Sequence, residues 1–376
     1  MSVKQNLSDL VRIDSVSAHS NREIIDYLAA RCGRLGLSVR HFAYTDERGI
    51  EKVNVVACAG WSPDGANEVE LALVGHTDTV PFDPGWAEAL KLTEREGRLY
   101  GRGACDTKAF IAAALAAVEA VELEKLARPL ALVFTADEEV GCLGAKRLSE
   151  ARPFAARHAI VGEPTSLRPM RAGKGYCLAE VKVFGREAHS AYPAEGASAI
   201  MRAARLVARV GQVAERLKAE THADFDPPFT TVNVGLIGGG TAKNVIAGEC
   251  RFTLEWRPVP NQAAARVVKL IQAEAELLRA EDAGFDYEID VLRLDGGVET
   301  PADALIVRHL EAATGNRAGT IAFGTEAPQL RELGAEAVVF GPGDIRNAHR
   351  TGEFVPAEEL ERCVEILAGA IREFCF

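Results

Sequence analysis

Four apolar, strand-like runs of this sequence lead into residue types that bind divalent metals. VELALVG (69–75) runs into His76-Thr77-Asp78 and LALVFTA (130–136) into Asp137-Glu138-Glu139. HAIVGE (158–163) ends on Glu163, and AVVFGPG (337–343) leads to Asp344 and then His349. Asp106 stands at the mouth of an Ala-rich helical stretch, TKAFIAAALAAVEAVE (107–122). Open α/β sheets bind ligands just beyond the carboxyl ends of their strands. A lone histidine is more often structural, and a lone Glu-Glu pair is more often a solvated helix start. The assembled set points to one site.

The residue types define the chemistry. Zinc or cobalt takes imidazole and carboxylate, and two ions ~3.5–4 Å apart need a carboxylate that bridges them. Two His, one bridging Asp and two Glu give each ion three protein ligands and leave room for a shared water. Coordination lowers the pKa of that water from ~15.7 towards ~7. A carboxylate left unligated can take its proton and hand it to a leaving amine; the adjacent Glu138 and Glu139 can divide the two roles. Asp78, two residues from His76 on an extended chain, points to the same side and can hold the other imidazole nitrogen. Its plain alternative is to cap a turn. Other chemistries find less support. GRGACD departs from a dinucleotide fingerprint at Asp106, and neither a GxSxG elbow nor an HExxH helix occurs. Cys105 has no evident activating base.

The elements that must position these groups alternate between buried strands and helices, which predicts a parallel-rich α/β sheet with helices on both faces. Ser20-Asn21-Arg22-Glu23 reads as a capping box. Ile24, Leu28, Cys32 and Leu35 then recur at helical spacing, with Gly36 as the stop. The stretch 173–293 is different. CLAEVKVFG (177–185) alternates with charges, and TTVNVGLIGGG (230–240), ECRFTLEWR (249–257) and FDYEIDVLR (285–293) are further strands. Between them lie a helix at 261–281 and an earlier one with Ile200, Ala203, Val207, Val210, Ala214 and Leu217 on its apolar stripe and Arg202, Arg205, Arg209 and Arg216 opposite. The expected organisation is a discontinuous catalytic domain, 1–172 and 294–376, interrupted by an α+β lid at 173–293.

Composition narrows the partners. The chain has 376 residues, 48% hydrophobic and 26% charged, and carries a net charge of −11. That balance argues against nucleic acid and against an anionic membrane surface, which reward clustered Lys and Arg. No apolar run approaches the ~18 residues of a membrane span. The eight cysteines form no CxxC pair, so buried reduced thiols in a cytoplasmic enzyme are expected.

GHTDTVP (75–81), GRGACDTK (101–108), DEEVG (137–141), GEPT (162–165) and NAHRTGE (347–353) occur in the order seen in the dinuclear metallopeptidase family. That family includes aminoacylases, glutamate carboxypeptidase, succinyl-diaminopimelate desuccinylase and acetylornithine deacetylase, and the chain resembles it over nearly its whole length. The resemblance implies that Asp106 bridges two ions, that Glu139 and His349 complete one site, and that His76 and Glu163 complete the other. It further implies Glu138 as general base and a lid that pairs two subunits. His189, in REAHSAYP, matches a lid histidine that reaches the partner subunit's active site to polarise the scissile carbonyl. Arg257 in EWRPVP and Asn244 in AKNVIAG match residues that hold the substrate carboxylate. Thr107 and Ala109 depart from the usual methionine and glycine, but neither supplies a metal ligand.

HTDTVPFD, LTEREGRLYGRG, GTEAP (324–328) and FGPGDIRNAH (340–349) resemble the acetylornithine deacetylase branch of that family. The reaction this implies is hydrolysis of N2-acetyl-L-ornithine to L-ornithine and acetate, in arginine biosynthesis. By charge alone, Glu326 in its Gly-bounded loop is placed to meet a cationic amine of such a substrate. Another acyl-amino-acid hydrolase (an acetylcitrulline deacetylase, an aminoacylase, the desuccinylase or a dipeptidase) would share every ligand. A non-catalytic metal-binding scaffold is the other class.

Overall fold

The computed structural model describes residues 1–61 and 67–376. They form two units, one of residues 1–171, 299–319 and 325–376, the other of 172–298 and 320–324.

The first unit is built on a mixed sheet in the order Ser38–Thr45, Glu51–Ala59, Leu130–Thr135, Glu68–His76, Ala155–Gly162, Glu336–Phe340. The last four run parallel to one another, and the first two add an antiparallel hairpin at one edge. Leu130–Thr135 is buried at every position, as its unbroken apolar run requires of a strand covered on both faces. The period of two sorts the side chains. Leu71, Leu73, Leu130, Leu132, Phe134, Ile160, Val338 and Phe340 join the main core with helices Val3–Val11, Arg22–Arg34, Lys108–Glu119, Leu305–Thr314 and Ala357–Cys375. Their alternates, among them Ala72, Val74, Val133, Val161 and Val339, are buried outside that cluster, where helices Leu143–Ala151 and Ala327–Glu332 contact the strands. Gly162 lets the Ala-rich helix approach: a Cβ there would stand 2.2 Å from the Phe110 ring.

The expected capping box does not form. Helix Arg22–Arg34 starts after Asn21, and Ser20 Oγ accepts only a long bond from Arg22 N at 3.4 Å. The Asn21 amide is engaged elsewhere, donating to Val53 O at 2.8 Å and accepting from Val53 N at 2.9 Å. It staples the helix start to the sheet. Gly36 does end the helix region, with φ of +88°.

The second unit is a four-stranded antiparallel sheet, ordered Thr231–Gly239, Glu249–Arg257, Tyr176–Phe184, Asp286–Asp295, whose core also contains helices Ala199–Leu217 and Arg266–Glu281. Tyr176–Phe184 alternates buried and half-buried residues along its length, which marks a sheet covered on one face. The apolar stripe of the first helix differs from the expectation. Ala199, Ala203, Leu206, Val210, Val213 and Leu217 are buried, while Ile200 is 42% exposed. The arginines explain the rotation: Arg202 pairs with Asp282, Arg205 and Arg209 with Glu281, and Arg216 with Glu274, each on or just after the second helix. Those pairs and the apolar contacts together set the helix's orientation.

Candidate metal centre

Because the four parallel strands share a direction, their carboxyl ends lie at one edge of the sheet. There the structure gathers His76, Asp106 and Glu163 into one group and Asp106, Glu139 and His349 into a second, with the ligand atoms of each group within 4.8 Å of one another. Asp106 belongs to both, and its two oxygens divide between them. Oδ1 lies 3.0 Å from His76 Nε2, and Oδ2 lies 3.1 Å from His349 Nε2. His349 Nε2 is also 3.0 Å from Glu139 Oε2. The first group is buried throughout; in the second, His349 is half exposed. Asp344, on the same run as His349, turns away to accept from Arg346.

The electrostatics are those of a cation site. Burial pushes the Glu138 carboxyl up to about 8, and its neighbours Glu139, Glu326 and Asp106 add to the shift. Burial, then Asp106 and Glu138, holds Glu163 well above the ordinary range. Burial would raise Asp106 too, but hydrogen bonding to His349 and His76 outweighs it and holds Asp106 low. Burial would lower His76, yet its hydrogen bond with Asp106 and the nearby negative charge of Asp78 raise it well above its usual value. Hydrogen bonding to Asp106 and Glu139 carries His349 up to about 10. Packed carboxylates beside two imidazoles repel one another unless positive charge sits among them. The donor set, oxygen and nitrogen with a carboxylate shared between two groups, fits two divalent ions.

Asp78 acts more broadly than expected. His76 Nδ1 lies 3.1 Å from the Asp78 backbone oxygen and 3.7 Å from its carboxylate. The carboxylate instead accepts from the backbone N–H groups of Glu138 and Glu139, at 3.0 and 3.2 Å, and from the Ser17 hydroxyl at 2.7 Å. Asp78 thereby joins the turn that carries His76 to the turn that carries both glutamates. Glu326 is buried; Thr135 Oγ1 donates to its Oε2 at 2.9 Å, while Oε1 has no hydrogen-bond partner among the described residues. Burial pushes this carboxyl up to about 7.

Residues 72–373 match the profile of peptidase family M20/M25/M40. The chain belongs to that family. It is 55% identical to the acetylornithine deacetylase of Myxococcus xanthus, over 99% of this chain and 97% of that one. It is 35% identical to the acetylornithine deacetylase of Pasteurella multocida, over 96% and 94%. Among solved structures it resembles a tripeptidase from Staphylococcus aureus, with a TM-score of 0.79, 23% identity, and 99% and 97% of the two chains covered. It also resembles an M20 family metallo-carboxypeptidase from Sulfolobus solfataricus, with a TM-score of 0.75, 19% identity, and 100% and 99% covered. At those identities the two structures establish a shared fold.

The remaining expected site residues of this M20-family chain, His189, Asn244 and Arg257, lie in the second unit. His189 forms a β-bridge with Val245, and Ser190 N donates to Asn244 O at 3.0 Å, so His189 and Asn244 are neighbours. Arg257 is elsewhere. Its guanidinium carbon stands 4.5 Å from the Tyr176 ring centroid, and Nη1 donates to Ala322 O at 3.1 Å. The register explains the split. Trp256 pairs with Cys177 at one end of the sheet and Glu249 with Phe184 at the other. Seven residue steps at ~3.3 Å put the two ends roughly 20 Å or more apart. Arg257 and the His189–Asn244 pair therefore stand toward opposite ends of this sheet.

Sequence reasoning missed the groups that hold the ligand-bearing turns. Glu353 Oε1 accepts from Cys105 N at 2.9 Å and Asp106 N at 3.0 Å, and its Oε2 pairs with Arg102 at 2.5 Å. Asn54 brackets the turn after Leu130–Thr135, accepting from Ala136 N and donating to Gly144 O, both at 2.9 Å. A signal existed in each case. Glu353 closes the NAHRTGE motif, and Lys52 and Asn54 interrupt an otherwise apolar strand, KVNVVACA, at alternate positions.

Proposed function

We propose that the protein hydrolyses N2-acetyl-L-ornithine to L-ornithine and acetate, using two divalent ions, zinc or cobalt. The observation that carries this reading is Asp106, whose two oxygens face two different ligand groups while Glu138 stays outside both. When bound, two such ions supply Lewis acidity, polarising the acyl carbonyl and making water acidic enough to lose a proton near neutral pH. His76, Asp106 and Glu163 would hold one ion, and Asp106, Glu139 and His349 the other.

Glu138 takes the proton of the attacking water and delivers it to the leaving α-amine. Asp78 keeps Glu138 in place through its backbone N–H. His189 donates to the developing oxyanion, and Arg257 holds the α-carboxylate as a two-pronged donor. Glu326 meets the δ-ammonium, and its partnerless Oε1 supports that role. The acetylornithine deacetylases named above support the substrate, and with it a place in arginine biosynthesis. The eight cysteines, all buried, support a reducing, cytoplasmic setting. Among the described residues, no helix is long and apolar enough to cross a membrane.

A homodimer through the second unit belongs to the same proposal. Its sheet exposes the edge strand Thr231–Gly239, with Leu236 71% and Ile237 57% exposed, and Met201 on the adjoining helix is 68% exposed. Placing His189 and Asn244 at the opposite end of the sheet from Arg257 fits a site that takes Arg257 from one copy and the other two from its partner. The test is kcat/KM of cobalt- and zinc-loaded protein on N2-acetylornithine, acetylcitrulline, acetylmethionine and succinyl-diaminopimelate, beside a chelator-treated control. Metal-dependent preference for acetylornithine supports the proposal. Preference for another amide moves the substrate and keeps the chemistry, and no turnover on any amide puts a metal-binding scaffold first.

A further inference from the structure

Lys52 is 1% exposed, one pair from the turn of the sheet's antiparallel hairpin, where it stands opposite Tyr44. Its ammonium has three donors, and all three are used, on Asp137 Oδ1 at 2.7 Å, Ser17 O at 2.7 Å and His19 O at 2.8 Å. The other Asp137 oxygen accepts from Tyr44 Oη at 2.8 Å. Asp137 takes a left-handed backbone conformation, φ +56°, which is costly for most residues with a Cβ and least so for Asn and Asp, and here its carboxylate is held from both sides by Lys52 and Tyr44. The next two residues are Glu138 and Glu139. The Ser17 whose carbonyl Lys52 binds donates its hydroxyl to Asp78, the carboxylate that accepts from the N–H groups of Glu138 and Glu139. One buried ammonium thus closes a loop through the segment 15–19, the His76–Asp78 turn and the Asp137–Glu139 turn.

We propose that Lys52, with Tyr44, is a positioning residue for the metal centre: by fixing Asp137 it sets where Glu138 and Glu139 stand relative to His76. The inference rests on the metal-centre reading above. An ion pair kept only for charge balance would leave the centre unchanged once both charges were removed together. A positioning pair would not, because the left-handed turn at Asp137 would lose the contacts that hold it.

The experiment compares cobalt-loaded wild-type protein with the double variant Lys52→Met/Asp137→Asn, with Lys52→Arg and with Tyr44→Phe. The readouts are the cobalt visible absorption spectrum, and kcat and KM on N2-acetylornithine. The double variant is expected to bind two cobalt ions at saturating metal with an altered spectrum. Its kcat should fall at least tenfold while KM stays within threefold, and Lys52→Arg should recover part of that loss. A double variant with the wild-type spectrum and kcat overturns the proposal. If the double variant does not fold, Tyr44→Phe decides: an altered spectrum with kcat at least threefold down supports it, and wild-type values overturn it. Wild-type protein that binds cobalt but hydrolyses no amide refutes the proposed function alone, since the spectra still report on the clamp. Wild-type protein that binds no cobalt overturns both.

Discussion

Replacing Glu353 by alanine should unfasten the turn that presents Asp106. The carboxylate is fully buried, and Arg102 beside it is 3% exposed. Two backbone N–H groups and one guanidinium depend on Glu353, and Arg102 keeps one other acceptor, Pro81 O at 3.2 Å. A hydrogen bond to a charged acceptor contributes about 1.5–3 kcal/mol. Breaking a buried ion pair from one side costs about 3–5 kcal/mol, because the surviving charge stays buried. These figures describe overlapping effects, so the expected loss is about 4 kcal/mol, a large share of the ~5–15 kcal/mol that holds a folded protein together. The assay is urea unfolding of chelator-treated protein, followed by circular dichroism so that metal linkage does not mask the change. Glu353→Gln keeps a neutral acceptor and should fall between wild type and alanine. A loss below about 1 kcal/mol for Glu353→Ala would refute the reasoning, as would a glutamine variant less stable than the alanine one.

Glu138→Ala should keep both metal ions by equilibrium dialysis and lose about 10²–10⁴-fold in kcat; retained turnover removes Glu138 from the proton-transfer role. Glu326→Gln should lower kcat/KM for acetylornithine at least tenfold more than for acetylmethionine, and an equal fall on both would sink the ammonium contact. Burial pushes the His158 imidazole down to about 4 from 6.5, so between those values the unfolded chain binds a proton that the folded chain does not. This group's contribution to stability should therefore fall as pH drops from 6.5 towards 4, less steeply to the extent that Glu70 and Glu336, 3.8 and 3.2 Å from the ring, favour the imidazolium; His158→Gln should flatten that part of the urea-unfolding profile, and an unchanged profile counts against it. Leu236→Glu should turn a dimer into monomers in sedimentation velocity, while an unchanged sedimentation coefficient would point to a different interface or to no dimer.

The central strands were legible because a strand covered on both faces is apolar along its buried length, as 130–134 and 337–340 are. Ser38–Thr45 was not. It lies at a sheet edge with every residue exposed or half-buried, so the sequence SVRHFAYT carries no apolar alternation. The ligand groups were legible because His76, Glu139, Glu163 and His349 lie at or beyond strand ends in the sequence and Asp106 stands just before a helix. Their supports were not, because support here runs through space. Glu353 acts on Asp106 from 247 residues away and Tyr44 on Asp137 from 93, often through backbone N–H groups that leave no mark in the sequence. The stripe on helix Ala199–Leu217 was misplaced for a related reason. Ile200 is as apolar as its buried neighbours, and only the pairing of the arginines with Asp282, Glu281 and Glu274 shows which way the helix turns.

The interruption of the first unit has a consequence for the order in which the molecule can be made. Strand Glu336–Phe340 sits next to Ala155–Gly162 in the parallel sheet, yet the whole of 172–298 is synthesised between them. The second unit's four-stranded sheet can close as soon as Asp286–Asp295 emerges, since domains fold as units during synthesis. The first unit must wait, holding Val161 and its neighbours without their partner strand until the last ninth or so of the chain appears. His349 arrives with that final segment, so a nascent chain stalled before it carries a finished second unit and half of a metal site.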